Sequence, residues 1–246
     1  MTTHSVKIFK RFLTAFFMIA ALASFNPRLF AKPSLLGTSG LVMIPTAASI
    51  PQGSFSMALV RPNISDLNRK PNEQTPLKVF AYGFQYGLTK EIEFAAMQNQ
   101  IESAGTKTML SVKYALFPES AKSPGVSIGA IYEPSDSVLY YQDINAKSEA
   151  RTSLYAVASH TLQFPEEFAK KYTLRGHVGM GNKRIDGLFA GLDVQFSKVV
   201  KFSAEYDSSS YNYGLDVFLS PAIVLSGFTQ KDRFGFGLSV SVMPKK

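Results

Sequence analysis

A chain of 246 residues with no Cys excludes a disulfide framework and all thiol chemistry. Its formal net charge of +8 is scattered among carboxylates, which excludes a nucleic-acid-binding stripe and reads instead as a solvated polar face. Trp is absent as well, yet the chain carries 20 Phe, 11 Tyr and 17 Gly. Many of the Gly fall inside alternating runs, where they would weaken an ordinary soluble strand.

The first element predicted is an export signal over residues 1–31. Lys7, Lys10 and Arg11 form a basic start, Phe12 to Phe25 an apolar core, and Leu29-Phe30-Ala31 a cleavage site before Lys32. The apolar core is short for a membrane-spanning helix. Removing this stretch takes away four basic residues, with Arg28 the fourth, and no acidic ones, so the charge falls from +8 to +4.

Residues 32–52 follow, apolar and without clean alternation, punctuated by Pro33, Pro45 and Pro51. Two readings fit: a periplasmic leader into the first strand, or a plug that enters a lumen where irregular backbone is shielded from lipid.

From residue 53 the pattern is period two. Amphipathic segments are predicted near 53–61, 77–88, 91–99, 107–117, 125–133, 151–162, 172–181, 187–197, 199–207, 211–219, 222–230 and 233–242. Phe80, Tyr82, Phe84, Tyr86 and Leu88 share one face of the second, and Tyr211, Tyr213, Leu215, Val217 and Leu219 one face of the tenth. The single helix-compatible piece is 165–172, PEEFAKKY. No window of about 18 apolar residues follows the signal.

The connections separate a membrane barrel from a soluble sandwich. The two longest (62–76 and 134–150) are odd-numbered along the chain, and the two tightest (Thr89-Lys90 and Ser197-Lys198) are even-numbered. Short turns at one end and long loops at the other are the mark of an outer-membrane barrel. The predicted fold is therefore an all-β, transmembrane, antiparallel up-and-down barrel of about twelve strands over 53–246. Lipid wets the greasy face and closure removes the sheet edges. A soluble periplasmic β-sandwich or lipid-binding barrel is the competing architecture.

On that orientation the polar face lines the lumen, and the candidate site is its set of ionisable residues: Glu93, Lys113, Glu133, Arg175, His177, Asp193, Lys201, Glu205 and Asp216. A barrel of twelve strands lies between those that side chains fill and those that hold a channel. The charges can bridge and close the lumen or line a passage for small polar solutes. In the last strand Arg233, Gly235, Leu238 and Val240 fit a loose barrel-assembly signal, although the chain ends Met-Pro-Lys-Lys rather than on Phe.

Catalytic sets are sparse. Ser159-His160-Thr161 invites comparison with a Ser/His hydrolase, but no base-and-orienter spacing surrounds His160. After residue 31 the chain has two His, His160 and His177, and without Cys they offer no metal-ligand spacing. The hairpin tip Asp207-Ser-Ser-Ser-Tyr reads as a solvated loop, and Gly176-His-Val-Gly-Met-Gly181 as barrel-wall glycine. No enzyme activity, cofactor or metal is expected.

Several stretches resemble the YjbH-like family: Gly37-Thr-Ser-Gly-Leu-Val-Met-Ile-Pro-Thr-Ala47 with Ile50-Pro-Gln-Gly-Ser-Phe55, Lys113-Tyr114 with Leu116-Phe117-Pro118-Glu119, Gly187-Leu-Phe-Ala-Gly-Leu192, Ala204-Glu-Tyr-Asp207 and Tyr211-Asn-Tyr-Gly-Leu215. The resemblance implies an exported outer-membrane barrel, here a short single-barrel member. It also implies a link to exopolysaccharide or capsule secretion, with no catalytic residues to carry over. The expected partners are outer-membrane lipid, the barrel-assembly machinery and a polysaccharide or its secretion proteins, and no nucleic acid. A passive pore is the alternative role.

Overall fold

The computed structural model describes residues 32–61, 63–65, 76–101, 105–134, 151–165, 167, 171–196, 198–230 and 233–244. The export signal expected over 1–31 and half of the helix-compatible piece at 165–172 (166 and 168–170) lie outside the described residues, and Tyr172 opens a strand.

Among the described residues thirteen strands form one sheet: β1 (Phe55–Arg61), β2 (Asn63–Ser65), β3 (Pro76–Gly87), β4 (Ile92–Ile101), β5 (Gly105–Phe117), β6 (Gly125–Glu133), β7 (Arg151–Thr161), β8 (Tyr172–Gly181), β9 (Gly187–Phe196), β10 (Val200–Tyr206), β11 (Tyr211–Ser220), β12 (Ile223–Gln230) and β13 (Arg233–Val242). β2 pairs with β3 in the register that β1 sets, Val60 opposite Ala81 and Asn63 opposite Lys78, so the two are one stave. Every pairing is antiparallel between chain neighbours, and β1 also pairs with β13. The result is a closed barrel of twelve staves with no free edge. Most staves are 9 to 13 residues long, enough to cross a bilayer when tilted.

The period-two pattern decides which face meets which medium. Phe202, Leu215 and Phe236 are 41%, 46% and 53% exposed on the outside, while Ser203, Glu205 and Asp216 are buried within. Aromatic clusters sit near both rims. Phe84 stacks on Phe55 and meets Phe94 at a tilt, and Tyr172 meets Phe196 edge-on, at the end that holds the short turns; Tyr206 and Tyr211 meet at the other. An apolar band between aromatic girdles is the surface a bilayer requires. This is the fold of outer-membrane β-barrels. Leu215→Arg, at mid-stave, is expected to cost about 2–4 kcal/mol of folding free energy in lipid bilayers. A urea titration in large vesicles measures it.

The inner face is less uniformly polar than the sequence suggests. Met97, Met109, Ile131, Val157, Phe189 and Phe228 also point inward and join one apolar cluster with Leu36, Leu41 and Ile44. The reason is that the N-terminal segment brings its own apolar side chains into the barrel, and these need an apolar wall.

Inward glycines make room for inward rings. A Cβ on Gly129 would lie 2.3 Å from the Tyr155 ring, and one on Gly179 would lie 2.1 Å from the Phe189 ring. Gly129→Ala must push the Tyr155 ring off its seat and is expected to cost about 1–3 kcal/mol. Tyr155→Leu should recover part of that loss, read as the urea midpoint of the folded barrel.

In β13, Gly235 lies inward beneath the Phe228 ring. Leu238 and Val240 lie on the outward face with Phe236, Val240 covered by Met57 and Ile223.

Candidate functional site: the bore and its N-terminal segment

Residues 32–50 lie inside the barrel, and 51–53 are exposed where the segment leads into β1. The segment doubles back on itself: Pro33 bridges to Ser39 and Gly40 to Pro45, with Leu35 N–H on Val42 O at 2.9 Å and Thr46 N–H on Ser39 O at 3.0 Å. Gly37 takes φ +91° at the first bend, where its missing Cβ lets it approach Ala95 of the wall. Such an irregular fold leaves many backbone groups without regular partners, and burial makes each one costly. The wall supplies those partners.

Two carboxylates on opposite sides of the ring hold the segment's N–H groups. On β4, Glu93 accepts from Ser39 N–H and Ser39 Oγ at 2.6 Å each and from Ile50 N–H at 3.0 Å. On β10, Glu205 accepts from Val42, Met43 and Ile44 N–H at 3.0, 2.6 and 3.3 Å, and from Asn212 Nδ2 at 3.1 Å. Lys113 on β5 does the reverse for carbonyls, donating to Ser39, Thr46 and Ala48 at 3.3, 3.2 and 2.5 Å. Ser111, Ser127 and Ser159 hold Leu36 O, Ala47 O and Ala47 N–H. Gln85 donates to Ser39 Oγ.

The charges are matched. Lys113 Nζ lies 3.4 Å from Glu93, and both side chains are 0% exposed. Lys32 Nζ and Lys201 Nζ flank Asp216 at 2.5 and 3.3 Å. Arg184 meets Glu133 at 2.5 Å, and Arg175 meets Glu119. Charges buried as deeply as Lys113, Glu93 and Asp216 are tolerable when paired. Glu205 differs: its direct partners are the segment's backbone amides and Asn212 rather than a cation.

His177 is placed by ladder pairing. It stands opposite Ser159 across β7–β8, while Asp193 stands opposite Arg175 across β8–β9. Ser159 Oγ lies 2.8 Å from Nδ1 and Asp193 Oδ2 2.9 Å from Nε2. With a carboxylate at Nε2, that nitrogen carries the proton and Nδ1 accepts from Ser159.

The nine ionisable residues singled out from the sequence all lie on inward positions. The structure joins Glu93 to Lys113, His177 to Asp193 and Lys201 to Asp216; Glu133, Arg175 and Glu205 take partners from elsewhere. Sequence reasoning missed Lys32, Glu119, Arg184, Ser127 and the role of Ser159. The neighbour of Ser159 in sequence, His160, lies 3.9 Å from Glu119 instead. Only strand register could reveal the Ser159–His177 pair, and Lys32 bears no signal until the segment's path is known.

Two of the carboxyls in connections between strands are shifted by their surroundings. Burial pushes Asp207 up, but hydrogen bonds from Asn212, Ser209 and Ser210 outweigh it and hold the carboxyl below its ordinary range. Burial likewise pushes Glu119 up, and Thr161 and the Arg175 guanidinium more than reverse this. Both are lowered in the fold, so each contributes stability above its unfolded pKa that is lost as pH falls through the folded one. Among the described residues no group of three or more His, Asp or Glu could hold a metal ion.

No protein-family model matches the chain, and no curated protein does. Solved structures similar to it include the KdgM porin, 9% identical over 78% of this chain and 99% of that one, at a TM-score of 0.47. Also similar are Omp33 of Acinetobacter baumannii (10% identical, 78% and 99% covered, TM-score 0.46) and the COG4313 outer membrane channel of Pseudomonas putida F1 (11%, 82% and 99%, TM-score 0.40).

Proposed function

We propose that this chain is an exported outer-membrane barrel whose own N-terminal segment closes the bore, making it a closed envelope component rather than a permanently open pore. The observation that carries this reading is the grip of Glu93 and Glu205, from opposite walls, on the backbone amides of residues 39–50. In this reading the long loops face outward from the cell and the short turns face the periplasm, the end at which the chain enters β1 and leaves β13. The role follows the family resemblance: an accessory in exopolysaccharide or capsule secretion, in contact with outer-membrane lipid, the barrel-assembly machinery and the secretion proteins. Arg233, Gly235, Leu238 and Val240 would serve as the assembly signal.

A second reading, a gated passage for small polar solutes, is favoured by the wall behind the segment. Lys113, Glu93, Glu205, Asp216 and Lys201 would line a wet bore if the segment withdrew, and mixed charge suits polar cargo. Planar-bilayer recording of the purified protein tests both. Silence under a steady potential supports a closed barrel, brief openings support the gated passage, and steady open channels refute closure by the segment.

A further inference from the structure

We propose that Ser159, His177 and Asp193 form a hydrolytic site inside the barrel, covered at rest by Ala47, that cleaves short-chain acyl esters carried on a hydroxylated substrate. The inference rests on the reading that the segment can leave the bore.

Four groups needed for acyl transfer converge on one place. Ser159 Oγ is the nucleophile, 2.8 Å from His177 Nδ1 as base. Asp193, 2.9 Å from Nε2, fixes the tautomer and acts as a positioning residue. Donors aimed at carbonyl oxygens surround the same spot. Ser127 Oγ donates to Ala47 O at 2.8 Å, and Lys113 Nζ donates to Thr46 O and Ala48 O at 3.2 and 2.5 Å. Donors so placed can hold the oxyanion of a tetrahedral intermediate. Ala47 N–H sits on Ser159 Oγ at 2.8 Å, so the segment occupies the site as a pseudo-substrate.

The position selects the substrate. Ser159 faces the bore and is 1% exposed, so a lipid in the surrounding bilayer cannot reach it. The residue seated on Ser159 at rest is Ala47, so a short acyl group matches what this part of the wall already accommodates. The carrier must enter through water, past paired charges and hydroxyls. In the reaction Ser159 Oγ attacks the ester carbonyl carbon while its proton passes to His177 Nδ1. The tetrahedral intermediate collapses, the C–O bond to the alcohol breaks, and Nδ1 returns the proton to the leaving oxygen. Water then attacks the acyl-Ser159 ester, His177 takes its proton, and Ser159 regains it as the acid departs. Ester and water become acid and alcohol with no other reactant.

The test uses the full chain in two opened forms: Glu205→Ala, and a variant with residues 41–48 replaced by Gly and Ser at equal length. A fluorophosphonate probe is applied and the adduct is mapped by mass spectrometry, with bilayer conductance recorded on the same sample. Folding is judged by heat-modifiable gel migration, and Glu205→Ala alone serves if the replacement does not fold. The expected result is an adduct on Ser159 in the opened forms and little in the intact chain, with His177→Ala slowing it on the order of 10²-fold. Hydrolysis of p-nitrophenyl acetate should follow the same order. Equal labelling with and without His177 would overturn the proposal. So would an unlabelled Ser159 in the replacement variant, or in a Glu205→Ala barrel that conducts. An adduct in a replacement variant that passes no current spares the triad and refutes closure by the segment.

Discussion

Glu205→Ala turns a silent barrel into a conducting one. The wild-type carboxylate accepts three consecutive backbone N–H bonds from Val42, Met43 and Ile44. Truncation leaves those amides buried beside a void, and water is the only replacement partner. Hydrogen bonds to a charged acceptor are worth more than neutral ones, and stranded donors carry the full cost of their desolvation, so the seated segment should lose roughly 3 kcal/mol. That raises the population of the withdrawn state on the order of a hundredfold. Single-channel recording should show openings that the wild type lacks. Because Glu205 leans on no direct cationic partner, its removal strands no opposite charge, and the staves themselves should remain paired. Heat-modifiable migration checks this: the folded band should persist.

Lys113→Met acts on both the segment and the wall. Lys113 Nζ is the cation beside fully buried Glu93 and the donor for three segment carbonyls. Removing it leaves an uncompensated carboxylate in the interior, which costs about 3–5 kcal/mol. The double variant Lys113→Met with Glu93→Gln should recover part of that loss, because the amide oxygen can still accept the two bonds made at Oε2, from Ser39 Oγ and Ile50 N–H, without a charge to neutralise. The urea midpoints of the wild type, the two singles and the double form a cycle. A strong departure from additivity is expected; additive losses would mean that the pair is not coupled.

The barrel was legible because lipid imposes a strict rule on each stave. Leu188 and Leu192 face out while Phe189, Gly191 and Asp193 face in, and the period-two pattern carries that on its face. The alternation of loop lengths pointed to a membrane barrel, and closure followed because lipid tolerates no unpaired sheet edge. The site was legible only in part. Glu93, Lys113, Glu205 and Asp216 stand out as charges on the inner side of greasy strands, but their partners do not follow from spacing. Arg184 reaches Glu133 across 51 residues and Lys32 reaches Asp216 across 184. The apolar inner residues were harder still. Met97, Met109 and Ile131 interrupt the polar face for the sake of Leu36, Leu41 and Ile44, and the segment's irregular path obeys no period. Residues 32–52 show turns and prolines in the sequence, yet nothing local says which side of the wall they occupy.

The placement of that segment is what the functional account stands on, and the absence of native Cys permits a direct measurement. Val42 Cγ2 lies 3.0 Å from where a Cβ on Gly214 would sit, so paired thiols there fall within disulfide reach. Val42→Cys with Gly214→Cys, folded in lipid and oxidised, should yield a peptide cross-link between the segment and β11 by mass spectrometry. The control pairing Val42→Cys with Leu215→Cys, on the outward face, should yield none. Free thiols at both 42 and 214, each open to a water-soluble maleimide in the folded barrel, would contradict the account.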